Sequence, residues 1–152
     1  MQPSKRLWDS ATCLAWLQDE KGADLCQATL DAAGRGEVQI YISTMAIAET
    51  LMVRGKPPLS KESKLKVRGF FKRPELIPIE LDRYCAEFAQ ELVWDYKIKP
   101  KDAIHVASAL LAECDIVETF DKDLQKRSGR VGGTPPLQIL EPGKGLNLSL
   151  LK

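Results

Sequence analysis

Four acidic residues stand in this sequence where an acidic side chain needs a reason. Asp9 follows the short run Lys5–Trp8 and precedes a helical stretch. Glu49 interrupts the apolar side of a helix, sharing its face with Met45 and Met52, with Ala46 and Val53 close by. Asp102 enters a helix just behind Pro100, and Asp121 closes the strand-like run Ile116–Phe120. A carboxylate in apolar surroundings must find a donor, a cation or solvent. Four gathered together would repel one another, and some would have to protonate. A hard divalent ion removes that conflict, and oxygen-only ligands favour Mg²⁺ or Mn²⁺ over zinc. One such ion, or a pair roughly 4 Å apart, activates water and stabilises an in-line displacement at phosphorus. Spacing along the chain does not by itself bring the four together. Each also has an ordinary alternative: Asp9 or Ser10 caps the helix that follows, and Glu49 lies part-exposed at the edge of an apolar stripe.

The elements that must position these residues alternate between strand and helix. Strands are read at Lys5–Trp8, Val38–Ile42, Leu76–Ile79, Ile116–Phe120 and Leu137–Leu140, the third an edge strand because of Pro78. Helices are read from Ala11 to Gln18, Ala23 to Ala33 (stopped by Gly34 and Gly36), Met45 to Val53 and Tyr84 to Trp94, the last with Phe88, Leu92 and Cys85 inward. Another opens at Ser60, with Leu65, Val67, Phe70 and Phe71 on its apolar side. The run Ala103–Leu111 is apolar nearly all round, as in a helix packed deep in a domain. This alternation implies an α/β fold, three layers around a mainly parallel, roughly five-stranded sheet, in one domain spanning 1–152 with its core at about 5–140. In such a sheet, ligands bind beyond the carboxyl ends of the strands, where Asp9 and Asp121 fall. The tail from Leu146 to Leu151, apolar at alternate positions, reads as an edge strand or a surface for a partner.

The chain of 152 residues carries a net charge of only +1, which excludes a generic polycation. That balance conceals a basic window. Arg54, Lys56, Lys61, Lys64, Lys66, Arg68, Lys72 and Arg73 face a single Glu62, a local charge of +7 that leaves −6 for the remainder. Cations beside two phenylalanines fit a phosphate-backbone footprint, and equally a solvated helix face over core phenylalanines, at least one of them buried. Cys13, Cys26, Cys85 and Cys114 form no C-x-x-C pair and read as reduced core thiols. With one histidine and no clustered thiols, the composition argues against zinc. No apolar run approaches the ~20 residues of a bilayer span and no signal peptide is visible, so the expectation is a soluble, cytoplasmic protein without a membrane partner.

Four segments in order resemble the signatures of the PIN domain, the nuclease fold related to the PilT N-terminal domain: Asp9-Ser10, STMAIAETL around Glu49, KPKDAIHVASAL, and DIVETFDKDL. In its size, and in DAIHVASAL followed by TFDKDL, the chain is most similar to the VapC toxins of toxin–antitoxin pairs. The resemblance covers roughly Lys5 to Leu140. It implies a Mg²⁺- or Mn²⁺-dependent ribonuclease that leaves a 5′-phosphate and a 3′-hydroxyl, usually a homodimer, silenced by a VapB-like antitoxin. By the same likeness Asp9, Asp102 and Asp121 hold metal, and Glu49 completes the site directly or through water. Ser10 and Thr119 fall where small hydroxyl residues help to hold a carboxylate or the metal's water. Asp123, at a position often acidic in the family, braces those carboxylates or caps a helix. Ala11 departs from the family's usual Asn or Ser. His105 lies one turn beyond Asp102, and the resemblance does not make it catalytic. Arg54, Lys56, Lys61 and Lys64, with Lys99 and Lys101, are the candidates to hold an RNA backbone. Two other readings compete: a PIN-like RNA-processing nuclease without a toxin role, and a catalytically silent RNA- or protein-binding module. A receiver-like phosphoacceptor domain fits poorly, because Asp9 stands alone after its strand and Glu141, not a lysine, follows Leu140.

Overall fold

The computed structural model describes residues 2–51, 57 and 60–146. Five parallel strands form one sheet: β1 (Ser4–Trp8), β2 (Val38–Ser43), β3 (Leu76–Ile79), β4 (Ile116–Glu118) and β5 (Gln138–Leu140). Their order is β3-β2-β1-β4-β5. The first strand made is thus the central one. It pairs with β2 along its whole length, from Ser4 opposite Val38 to Trp8 opposite Ile42, and with β4 from Arg6 opposite Ile116 to Trp8 opposite Glu118. Pro78 lies opposite Ile42 on the outer strand β3, where its missing N–H can face away from the ladder.

Two helical layers cover the sheet, because successive strand residues point to opposite faces. On one side α1 (Ser10–Leu17), α2 (Ala23–Gly34) and α4 (Lys61–Phe70) bury Cys13, Leu17, Cys26, Leu30, Val67 and Phe70 against Trp8, Ile40 and Ile42. On the other, α5 (Arg83–Tyr96), α6 (Pro100–Leu111) and α7 (Lys122–Gln125) bury Cys85, Leu92, Val106 and Leu124 against Leu7, Val117 and Ile139. The short α3 (Thr44–Glu49) leads off the end of β2. This is the three-layer α/β/α arrangement of the sequence reading. Phe70 stacks on Trp16 and Trp8, so that phenylalanine belongs to the core. All four cysteines are free and buried, and burial pushes the Cys26 and Cys114 thiols up to about 12, which leaves them inert.

Several local expectations change. Helix α3 ends on Glu49, short of Val53, and the part of that prediction at 52–53 lies outside the described residues. Leu65 is 57% exposed, so it is not part of the apolar side of α4. The strand β4 stops at Glu118, and Thr119 and Phe120 leave the sheet toward the short helix α7, which the pattern did not announce. The tail beyond Leu146 is likewise outside the described residues. Among the described residues no helix is long and apolar enough to cross a membrane.

An ion pair at the centre of the sheet went unread in the sequence. Glu118 is fully buried and accepts from Arg6 Nη1 (2.7 Å), Trp8 Nε1 (2.7 Å), Thr29 Oγ1 (2.9 Å) and the Gly143 backbone N–H (3.1 Å). The same Arg6 nitrogen donates to the Lys144 carbonyl at 2.6 Å. Arg6 and Trp8 share a face by strand alternation, and Glu118 pairs opposite Trp8, which is why the three meet.

Candidate active site

The strand order reverses between β1 and β4, since the chain leaves β1 in one direction and returns to build β4 on its other side. At such a switch point the carboxyl ends of the two strands diverge and leave a crevice. Asp9 follows β1 there. It caps α1, its Oδ1 accepting from the Thr12 backbone N–H at 2.9 Å with the Thr12 hydroxyl at 2.7 Å. Thr119, just past β4, donates its hydroxyl to Asp9 Oδ2 at 2.5 Å and accepts the Asp121 N–H at 3.1 Å. Asp121 in turn caps α7 through the N–H groups of Asp123 (2.9 Å) and Leu124 (3.3 Å). One threonine hydroxyl therefore ties the Asp9 carboxylate to the backbone that carries Asp121.

Asp102 lies in the first turn of α6, part-buried. Burial first, and then the charges of Asp121 and Asp9, push its carboxyl above the usual value, while His105 and Lys99 act the other way. The three aspartates thus share one electrostatic neighbourhood although they arise from three separate elements.

Glu49 behaves oppositely. It ends α3 against α1 and α6, where Ser10 Oγ donates to its Oε1 at 2.6 Å and Lys101 Nζ lies 3.3 Å from its Oε2. His105 Nε2 lies 3.8 Å from Oε1 and 3.3 Å from Ser10 Oγ. His105 first, then Ser10 and Lys101, hold the Glu49 carboxyl down to about 2 against its partial burial. It is a fixed anion, and its tightest contact is the serine.

A cavity of about 290 Å³ opens on Asp102, Asp121 and Asp123, with Lys97, Lys99, Lys126 and Arg127 among its lining residues. Lys99 thus lines the same cavity as two of the carboxylates, whereas Lys101 is taken up with Glu49. The exposed Asp123 gives its backbone N–H to Asp121, and its carboxylate pairs with Lys126 at 3.6 Å. Lys61 and Lys64 lie exposed on α4, and Arg54 and Lys56 fall outside the described residues. Sequence reasoning missed Thr12, Lys97, Lys126, Arg127 and the contact between His105 and Ser10. Only Thr12, three residues after a capping aspartate, carried a readable signal. A concavity of about 790 Å³ along α5 contains none of the four candidate carboxylates.

Whether these residues suit a metal ion turns on their chemistry. Among the described residues no three carboxylate, imidazole or thiol groups lie close enough to ligate one ion. The donors are all carboxylate oxygens, and the anionic form of Asp102 is disfavoured by burial and then by the charges of Asp121 and Asp9. In donor type, though not in spacing, that set suits a hard divalent cation, which would relieve the repulsion.

Residues 7–130 match the PIN domain family, and the chain belongs to that family. Among solved structures it is similar to a chain of VapBC2 from Rickettsia felis, crystallised bound to a DNA fragment from their promoter. The TM-score is 0.65 at 16% identity, over 89% of this chain and 96% of that one. It is also similar to a chain of a toxin–antitoxin complex from Klebsiella pneumoniae, with a TM-score of 0.57 at 20% identity over 87% and 94% of the two chains. No curated protein matches the sequence.

Proposed function

We propose that this chain is a divalent-metal-dependent endoribonuclease acting as the toxin of a VapBC-type pair. The observation that carries the reading is the shared electrostatic neighbourhood of Asp9, Asp102 and Asp121 at the switch point of a PIN fold. Asp9, Asp102 and Asp121 would hold Mg²⁺ or Mn²⁺, with Glu49 joining directly or through water. When bound, the ion supplies an activated water at neutral pH and offsets charge developing on the phosphate. The chain's own residues do the rest. Thr12 and Thr119 fix the Asp9 carboxylate, so little reorganisation is left for the reaction itself. Lys99, Lys126 and Arg127 line the adjoining cavity, where they counter the charge of an incoming phosphodiester. RNA rather than DNA, and ends bearing a 5′-phosphate and a 3′-hydroxyl, follow from the family resemblance. A VapB-like antitoxin as partner is supported by structural neighbours taken from toxin–antitoxin complexes. A homodimer is supported by the exposed Tyr84 and Trp94 of α5.

Cleavage of structured and single-stranded RNAs, by wild type and by Asp102→Asn, in Mg²⁺, Mn²⁺ and EDTA, tests this reading. The expected result is metal-dependent cleavage, lost in a variant that still folds. Equal activity in the two proteins removes the assignment of Asp102. No cleavage by either, with RNA binding that survives EDTA, makes the chain a silent binding module.

A further inference from the structure

His105 is the chain's single histidine, buried in α6 behind the carboxylates. Its surroundings determine which nitrogen carries the hydrogen. A serine hydroxyl has one hydrogen to give. At 2.6 Å from a carboxylate oxygen, Ser10 Oγ spends it on Glu49, within the range of charge-assisted O–H···O⁻ bonds. His105 Nε2, 3.3 Å from that oxygen, therefore meets a lone pair and must itself be the donor. The other nitrogen gives the same answer independently. Among the described residues Nδ1 is buried with no hydrogen-bond partner, and a bare ring nitrogen is cheaper to strand there than an N–H. Both constraints put the donor hydrogen on Nε2.

We propose that His105, with a hydrogen on Nε2, is a positioning residue for Glu49: it donates to Ser10 Oγ, whose only hydrogen goes to Glu49 Oε1. Every hydrogen in this chain points toward the carboxylate, so each bond polarises the next. Lys101 steadies the opposite oxygen. Glu49 needs such an outside frame because it is the last residue of a six-residue helix, with one buried residue, Ala46, to anchor it. The role rests on the nuclease reading above, in which Glu49 serves the metal site. The tautomer does not depend on it.

With one histidine, ¹⁵N labelling yields one imidazole, and its two nitrogen shifts report the tautomer directly. The expected spectrum is that of a ring with its hydrogen on Nε2 in the wild type, with the preference weakened in Ser10→Ala. An Nδ1–H tautomer or an averaged mixture of the two tautomers overturns the proposal. Mn²⁺ titration of wild type, His105→Gln, His105→Asn, His105→Leu and Ser10→Ala tests the positioning role. Gln places an amide N–H where Nε2 stood, and Asn places one where Nδ1 stood. His105→Leu, His105→Asn and Ser10→Ala should each weaken Mn²⁺ binding by about tenfold or more, as loss of an outer partner of a ligand does, with His105→Gln close to wild type. Wild-type affinity in folded His105→Leu overturns the role, and should that variant not fold, Ser10→Ala and the imidazole shifts decide. If Asp102→Asn binds Mn²⁺ as wild type does, the metal site fails and the positioning role with it. That outcome is distinguishable, because the imidazole shifts alone report failure of the donor chain.

Discussion

Asp102 and Glu49 have their ionisation displaced in opposite directions, and stability should record the difference. Burial and the charges of Asp121 and Asp9 raise the Asp102 carboxyl, so its ionisation costs the folded state something the unfolded chain does not bear. That cost is present at neutral pH and vanishes once the pH falls below the ordinary aspartate value, where both states hold the proton. Asp102→Asn should therefore raise the thermal midpoint at pH 7, with the gain fading in acid. Glu49, held near pH 2, contributes stability above its ordinary value of 4.5 that disappears as the pH falls through about 2. Glu49→Gln should accordingly lower the midpoint at neutral pH and approach wild type in strong acid. A series of melting curves from pH 7 downward checks both, and curves for the two variants that shift alike would refute the opposed signs.

At the scale of elements, the site depends on turns as much as on strands. Gly22 joins α1 to α2 with φ +96°, and a Cβ there would lie 2.7 Å from the Phe120 ring. Phe120 sits between Thr119 and Asp121, so crowding at Gly22 is transmitted to the backbone that anchors two carboxylates. Gly22→Ala should cost about 1–3 kcal/mol through the left-handed strain and the clash together, read from denaturant midpoints, and should weaken metal binding as Phe120 moves. Capping chemistry made much of this frame legible in the sequence. Asp9 and Ser60 announced helix starts by residue type, and the structure places a side-chain cap at each. What could not be read depended on partners distant in the chain. Glu49 looked like an anomaly on an apolar stripe, whereas α3 stops at that residue and its donors come from α1 and α6. Leu65 counted as core by pattern, yet nothing packs over it enough to bury it.

For the whole molecule, the buried Arg6–Glu118 pair does what no single element could. It joins β1 to β4, reaches α2 through Thr29, and gathers Gly143 and Lys144 from beyond β5. A three-residue strand is too short to show period-two alternation, so Glu118 gave no sign of facing inward. Glu118→Gln would leave the guanidinium buried without its counter-charge, at a cost of about 3–5 kcal/mol. Pairing it with Arg6→Met should recover part of that loss. Unfolding of the two single variants and the double variant measures the coupling, and strictly additive losses would show that the pair is not a unit.

The strand order also sets a schedule. On the ribosome β1 emerges first, yet its neighbour β4 follows more than a hundred residues later, and Arg6 receives its last acceptor only with Lys144. Asp9 therefore waits for Thr119 until β4 has followed, more than a hundred residues after β1. A nascent chain wired this way holds its carboxylates apart until β4 has been made, so the machinery making it meets the assembled site only after most of this fold has emerged.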